Sequence, residues 1–179
     1  MKKKNNLLKM IQAAMFLAIA YVLPFFTGQI PKIGSMFCPM HIPVLLCGFI
    51  CGWPWGLAIG FSAPLLRSMT LGMPVMFPKA FCMAFELATY GLVAGILYKV
   101  LPKKKIFIYF SLLGAMVIGR VVWGIVMAVC MGVGGNSFGI SAFLSGAVIN
   151  AIPGIVVQVI LIPVLVMVLE KEKKDLDNA

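Results

Sequence analysis

The sequence has few charged residues for its length, and this scarcity excludes an ordinary soluble domain. Only 11% of the 179 residues are charged, 62% are hydrophobic, and the mean hydropathy is +1.06. Soluble globular proteins usually contain about 25% charged residues. The composition therefore predicts an integral membrane protein. Apolar runs of roughly 20 residues, bounded by lysines or by glycine and proline, predict α-helical spans rather than a barrel.

The sequence also lacks the short motifs of common catalytic sites. No G-x-x-x-x-G-K-[ST] phosphate loop is present, which excludes ATP hydrolysis by that route. There is no H-E-x-x-H or G-x-S-x-G motif, and His41 is the only histidine, so intramembrane hydrolysis has no evident nucleophile and base. The five cysteines show no C-x-x-C or Cys/His spacing and are interpreted as packing residues. We expect no enzyme, no cofactor and no metal site.

Apolar runs and helix breakers predict an all-α membrane protein with six transmembrane helices in one bundle. Residues 1–179 then form a single membrane domain. Prolines and glycines shorten the second and third spans, so a re-entrant hairpin over 40–69 is an alternative to two full spans. The predicted spans are 7–26, 40–52, 55–69, 79–101, 106–132 and 141–169.

The lysines predict the orientation of this bundle. They cluster at residues 2–9, 103–105 and 171–174, and an even number of spans places all three clusters on one side of the membrane. Because positive charge near span ends is retained in the cytoplasm, we expect both termini to be cytoplasmic. The net charge of +10 is largely explained by this pattern. No aromatic platform is interleaved with the lysines, so we expect no nucleic-acid partner.

Topology does not explain the ionisable residues inside the predicted spans: Arg67, Glu86 and Arg120. At about 1.5 Å per residue, Glu86 and Arg120 both lie about 22 Å from the lysine side of a core that is about 30 Å thick. They can therefore pair. A charge at mid-membrane costs about 2.5–3.5 kcal/mol even on a lenient scale, and such residues normally face a partner or a wet cavity.

Other polar and aromatic residues are predicted at the same level, on the outer side. This level would form an outward-facing pocket with more cations than acids, suited to a ligand with a carboxylate or phosphate and hydroxyl or amide groups. In the alternative interpretation, Glu86 and Arg120 only lock two helices together, Arg67 extends to the interface and His41 packs at a helix start. The candidate binding residues are Arg67, Lys79, Glu86, Arg120, Trp123, Asn150 and His41.

Small residues recur at helical spacing in the first three spans. Ala14 and Ala18 form a small-xxx-small ridge in the first span, suited to helix packing or to docking on another membrane protein. The stretch "HIPVLLCGFICGWPWGLAIGFSAPLLRS" crosses the next two spans. Together with the size and the six spans, these features resemble the substrate-binding S components of energy-coupling factor (ECF) vitamin transporters. The most specific match is a P-x-L-x-x-G-x-x-x-G-x-x-x-G-x-x-x-G run: Pro43, Leu45, Gly48, Gly52, Gly56 and Gly60, with Pro54 inside it.

The resemblance implies a multi-pass subunit of the bacterial plasma membrane that captures a vitamin or related micronutrient at its outer face. It also implies docking through Ala14 and Ala18 on a transmembrane coupling subunit, which two cytoplasmic ATPases drive, and toppling of the S component to release its cargo. The surplus of cations favours an anionic vitamin such as pantothenate over thiamin.

Two other classes of function are compatible with the residues. The chain can be a stand-alone secondary carrier that uses Glu86 as a proton site, as carboxylates do in other transporters. It can also be a structural or assembly membrane protein without a small ligand. Uptake by the chain alone would indicate the carrier, and absence of any stabilising micronutrient would indicate the structural protein.

Overall fold

The computed structural model describes residues 2–26, 39–102, 104–133, 139 and 151–177. The regular elements within these ranges are all helical, and a π-helical turn at Met76–Ala80 leads into α4. In chain order the helices are α1 (Lys2–Phe26), α2 (His41–Cys51), α3 (Trp53–Leu71), α4 (Phe81–Val100), α5 (Lys105–Val133) and α6 (Ile152–Asp177).

Four stretches of the described helices are long and apolar enough to cross a membrane: Asn6–Phe26, Met76–Val100, Lys105–Val133 and Ile152–Lys171. They correspond to the predicted first, fourth and fifth spans and to the described part of the sixth. Helix α2 has 11 residues, and at about 1.5 Å per residue it rises only about 17 Å, well short of a bilayer core. The total of six spans and the side of the termini remain predictions.

Glycine and proline set several of the helix boundaries. Gly52 separates α2 from α3 with a φ of 96°, and Gly72 ends α3 with a φ of 68° while its N–H donates to the Ser68 carbonyl. Glycine adopts these positive φ values without the steric cost that a Cβ brings. Leu101 after α4 is extended, as expected for a residue before proline.

Helix α4 lies at the centre of the described bundle. It packs against α2, α3 and α5, whereas α1 packs on α2 and α3, and α6 packs on α2 and α5. Half of the most apolar part of Met76–Val100 is buried, against 17–28% for the other three candidate spans. The outer faces of α1, α5 and α6 carry exposed apolar side chains, as expected for helices that face lipid. A polar residue on the buried face of α4 must therefore find its partners inside the protein.

Glycines let α2 and α3 lie directly against α4. A Cβ on Gly48 would lie 2.6 Å from the Gly91 carbonyl oxygen, and one on Gly56 would lie 2.7 Å from the same atom. Cβ atoms on Gly60 or Gly95 would overlap the backbones of Leu87 and Trp53, respectively. We call Gly48, Gly56, Gly60, Gly91 and Gly95 the glycine seam. The glycines of the predicted run thus have two roles: Gly52 forms the turn between α2 and α3, whereas Gly48, Gly56 and Gly60 contact α4.

The order of these contacts gives the helix directions. Along α4, Gly95 meets Trp53, Gly91 meets Gly56, and Leu87 meets Gly60, so α3 runs antiparallel to α4. Gly48 meets Gly91 near the turn, and His41 reaches Glu86 further away from it. Helix α2 is therefore parallel to α4 and forms an antiparallel hairpin with α3. This hairpin places the start of α2 beside the start of α4.

Substituting Gly91 tests the seam. We expect Gly91→Ala to lower the free energy of unfolding by about 1–3 kcal/mol, because the new methyl group meets the backbone of Gly56, which cannot move aside as a side chain can. The matched control is Gly132→Ala near the end of α5, where a Cβ meets no atom of the described residues within 4 Å. Thermal unfolding in detergent measures both variants. An equal change in the two midpoints would contradict close backbone packing at Gly91.

Candidate functional site

Glu86 is a buried carboxylate on α4, and three side chains converge on one of its oxygens. Its side chain is 2% exposed. Arg120 Nη1 lies 3.0 Å from Glu86 Oε1, the Tyr90 hydroxyl donates to the same oxygen at 3.0 Å, and His41 Nε2 lies 3.6 Å away. The predicted pairing of Glu86 with Arg120 is thus present. We call His41, Glu86, Tyr90 and Arg120 the ionic cluster.

Three helices hold the ionic cluster in place. Tyr90 follows Glu86 by one turn of α4, so both side chains lie on the same helix face. Its ring occupies the space in front of Gly119 on α5, where a Cβ would overlap it. The rings of His41 and Tyr90 are 5.3 Å apart between centroids. Gly119 therefore lets the tyrosine pass between α4 and α5 to reach the carboxylate.

The contacts of Glu86 offset the free-energy cost of burying its carboxylate. An isolated carboxylate in an apolar interior is so costly that it requires a cation or hydrogen-bond donors. Glu86 has both, from Arg120 and Tyr90. The His41 contact becomes ionic only when the imidazole is protonated. Glu86 is also the only acidic residue before Glu170, so no other carboxylate in the first 169 residues competes for Arg120.

The ionic cluster is not sealed equally on all sides. The Arg120 side chain is 15% exposed, whereas Glu86 and His41 are almost fully buried. His41 Nδ1 is buried and has no hydrogen-bond partner within the described part of the chain. His41 is the first residue of α2, where the helix dipole favours negative charge. A polar group that entered beside Arg120 would meet a guanidinium, an imidazole and the positive end of a helix.

Arg67 is directed toward α1. Its Nη1 donates to the Tyr21 carbonyl oxygen at 2.6 Å, and its guanidinium carbon lies 4.9 Å from the centre of the Phe25 ring. Thr70 donates to the Leu66 carbonyl, so the Tyr21 hydroxyl, 2.8 Å from the Thr70 hydroxyl, is the donor in that pair. Arg67 is 3% exposed. It therefore fastens α1 to α3, which differs from simple extension to the membrane interface.

The other predicted binding residues have different surroundings. Lys79 is exposed in the π-helical turn before α4. Trp123 is partly buried and packs against a cluster of sulfur-bearing side chains, in which Cys82 Sγ lies 4.0 Å from Cys130 Sγ. Asn150 lies outside the described residues. Among the predicted candidates, the structure thus brings together His41, Glu86 and Arg120.

The two predicted docking residues lie on the outer face of α1. Ala14 and Ala18 are exposed, while Ala13 and Phe16 face the core. A small-residue ridge on a lipid-facing surface lets another helix approach closely. Ala14 and Ala18 are thus accessible to a partner.

Sequence reasoning missed Tyr90 and Gly119. Both carried a signal: Tyr90 is four residues after Glu86, and Gly119 directly precedes Arg120. The four-residue spacing alone indicates that a hydroxyl can reach the carboxylate. The role of Gly119 depends on which helix lies opposite, and the spacing within α5 does not reveal that.

The fold and the ionic cluster define a class: a multi-pass helical membrane protein with a buried polar site between α2, α4 and α5. Residues 8–166 match the family described as "ECF transporter, substrate-specific component". The chain belongs to this family of substrate-specific S components. Such components are transporter subunits rather than enzymes, and they work with the transmembrane and ATPase subunits of the ECF module and a small-molecule substrate. Comparisons with curated proteins and with solved structures give no match.

A double substitution tests whether the pair is energetically coupled. We expect Arg120→Gln to lower the free energy of unfolding by about 3–5 kcal/mol, because it leaves a buried carboxylate without its cation. The double variant Glu86→Gln/Arg120→Gln should be more stable than Arg120→Gln alone, since it removes the uncompensated charge. Thermal unfolding of the wild type, the single variants and the double variant supplies the cycle. Additive effects would mean that the two side chains do not interact.

Proposed function

We propose that this S component binds an anionic micronutrient at the ionic cluster and delivers it to the cytoplasm through the ECF module. The observation that carries the proposal is the convergence of Arg120, His41 and Tyr90 on Glu86 within a chain of this family. A mere lock between two helices would need only the ion pair. The additional imidazole, whose Nδ1 has no hydrogen-bond partner among the described residues, supports a ligand role for the cluster.

The charge balance favours a ligand with a negative group. Arg120 and Glu86 neutralise each other, and a protonated His41 adds one positive charge. Arg120 is the more accessible member of its pair, so an entering ligand meets the cation before the acid. A guanidinium has several N–H donors arranged in a fork that suits carboxylates and phosphates. A carboxylate on the ligand can therefore share Arg120 with Glu86.

The neutral groups of the cluster favour a ligand that also carries hydroxyl or amide groups. His41 Nδ1 can donate or accept a hydrogen bond, depending on its tautomer. A compact vitamin with one carboxylate, an amide and hydroxyls, such as pantothenate, combines these features. Thiamin is less suitable, because its positive charge would face Arg120. Lys79, Trp123 and Asn150 stay predicted binding residues, whereas the Arg67 guanidinium binds the Tyr21 carbonyl of α1.

The position of the ionic cluster along α5 supports an outward-facing site. Arg120 is fifteen residues beyond Lys105 at the start of α5, which corresponds to about 22 Å. The ionic cluster therefore lies toward the end of the bundle opposite Lys104 and Lys105. If the lysine end is cytoplasmic, as the charge rule predicts, the site opens to the outside of the plasma membrane. Both termini are then cytoplasmic, which requires an even number of crossings, and six is the number that the sequence predicts.

Energy for transport is assigned to the partners. The chain has no phosphate-binding loop of its own. We assign docking on the transmembrane coupling subunit to Ala14 and Ala18, which lie on the exposed face of α1. Two ATPases would then drive toppling of the S component and release of its cargo. Binding and docking thus use different faces of the protein.

Binding measurements with cluster variants test the site. We expect Arg120→Ala and Glu86→Ala to weaken pantothenate binding by about 10- to 100-fold, which corresponds to loss of a charge-assisted hydrogen bond. Isothermal titration of the purified chain gives the dissociation constants. The matched control is Lys99→Ala, which removes an exposed charge at the other end of α4. Unchanged affinity in both cluster variants would exclude this site. Mass spectrometry of co-purifying small molecules identifies the ligand if it is a different micronutrient.

Uptake measurements with an α1 variant test the division into two faces. We expect Ala14→Trp to retain ligand affinity and to abolish uptake in cells that contain the ECF module, because the indole blocks close helix approach. The control is Met15→Trp, beside the ridge on the same exposed surface. Equal loss of binding and uptake in Ala14→Trp would contradict separate faces. Uptake by the chain without partners, abolished by an uncoupler and by Glu86→Gln, would instead identify a proton-coupled carrier.

A further inference from the structure

A second polar site lies at the lysine end of the bundle, far from the ionic cluster. It is a cavity of about 260 Å³ between the end of α4, the start of α5 and the end of α6. A single water requires only about 10–15 Å³ of such space, so the cavity can hold a larger group. We call it the lysine pocket. Its lining residues are Tyr98, Lys104, Lys105, Ile108, Met167, Glu170 and Lys171.

The charges of the lysine pocket favour an anion. Among the described residues, three lysines and one carboxylate line it, and that carboxylate already accepts a hydrogen bond from the Tyr98 hydroxyl. The Tyr98 ring is in turn fixed edge-on against Phe49, with 5.2 Å between the ring centroids. Glu170 is therefore held by α4. The lining has a surplus of positive charge.

Backbone electrostatics add to this preference. Lys105 is the first residue of α5, a helix of 29 residues with no acidic side chain in its first turn. The start of a helix carries a partial positive charge and favours phosphate groups. The lysines and the helix start thus act on the same space.

The surroundings of the pocket are apolar and exposed. Val164 and Val168 on α6 are 47% and 49% exposed, and they lie one turn before the pocket-lining Met167 and Lys171 on the same helix face. Ile108 and Met167 supply apolar surface inside the pocket. An amphiphile can therefore place an anionic group among the lysines and an acyl chain along α6. A soluble anion would use only the first of these features.

We propose that the lysine pocket binds the phosphate headgroup of an anionic phospholipid. Basic pockets between membrane helices are suited to such headgroups, and each lysine near the membrane surface contributes about 1 kcal/mol of attraction. The bound lipid joins α4, α5 and α6 at the end of the bundle that carries the lysines. This site is independent of the micronutrient site, because the two share no residue.

Lipid retention in native mass spectrometry tests the proposal. The purified chain is equilibrated in mixed micelles with equal amounts of phosphatidylglycerol and phosphatidylcholine. We expect the wild type to retain phosphatidylglycerol preferentially. In the variant Lys104→Gln/Lys105→Gln/Lys171→Gln, the ratio of retained phosphatidylglycerol to phosphatidylcholine should fall about tenfold. The matched control, Lys2→Gln/Lys3→Gln/Lys9→Gln, removes the same number of charges from α1 and should keep the preference. Equal preference in both triple variants would overturn the proposal.

Two further experiments distinguish lipid binding from misfolding of the variant and from binding of a soluble anion. The variant Lys104→Arg/Lys105→Arg/Lys171→Arg keeps the charge and should retain the lipid. An unfolding midpoint of the glutamine variant equal to that of the wild type in phosphatidylcholine alone shows that the glutamine variant folds. Millimolar inorganic phosphate is added to the wild type in phosphatidylcholine alone, and we expect no rise in the unfolding midpoint. A rise as large as that given by phosphatidylglycerol, absent in the glutamine variant, would assign the pocket to a soluble anion and overturn the lipid assignment. Micronutrient affinity should be unchanged throughout.

Discussion

The intolerance of the bilayer for an uncompensated charge organises the centre of this protein. Glu86 lies on α4, the most buried of the candidate spans, so its carboxylate can reach neither water at the membrane surface nor a lipid headgroup. The cost of such a charge is removed only by a cation and hydrogen-bond donors within the bundle. Arg120 from α5 and Tyr90 from α4 supply them, and His41 brings α2 to the same point. One acidic residue thereby fixes the relative positions of three helices.

Backbone packing makes this arrangement possible. The glycine seam brings the hairpin of α2 and α3 against α4, and this contact determines that the start of α2 lies beside Glu86. Gly119 has a similar role on α5, because it leaves space for the Tyr90 ring next to Arg120. In a membrane, where lipid is as apolar as the helices, close packing of small residues is a main source of helix association. The polar site thus depends on small residues that have no polar chemistry.

The described part of the bundle has two chemically different ends, and one exposed face of α1 carries small residues. One end holds the ionic cluster, the other holds the lysine pocket, and α1 presents Ala14 and Ala18 outward. We propose a distinct use for each region: ligand capture at the ionic cluster, phospholipid binding in the lysine pocket, and docking on the ECF module at α1. Arg67 on α3 connects α1 to the bundle, because its guanidinium donates to the Tyr21 carbonyl of α1. A movement of α1 would therefore shift the end of α3 that carries Arg67.

Composition and residue spacing were sufficient to predict the membrane class, the positions of the long described helices and the pairing of Glu86 with Arg120. Composition, apolar run length and helical rise are properties of the chain alone, and two opposite charges at equal depth have few other partners. Tertiary structure decided the direction of Arg67, the participation of Tyr90 and the separate roles of Gly52 and its neighbours. Each of these depends on which helix lies opposite, and helix packing is set by side-chain and backbone contacts between segments that are distant in the chain. Residue spacing along one helix identifies the residues that share a face, but it does not identify the helix that packs on that face.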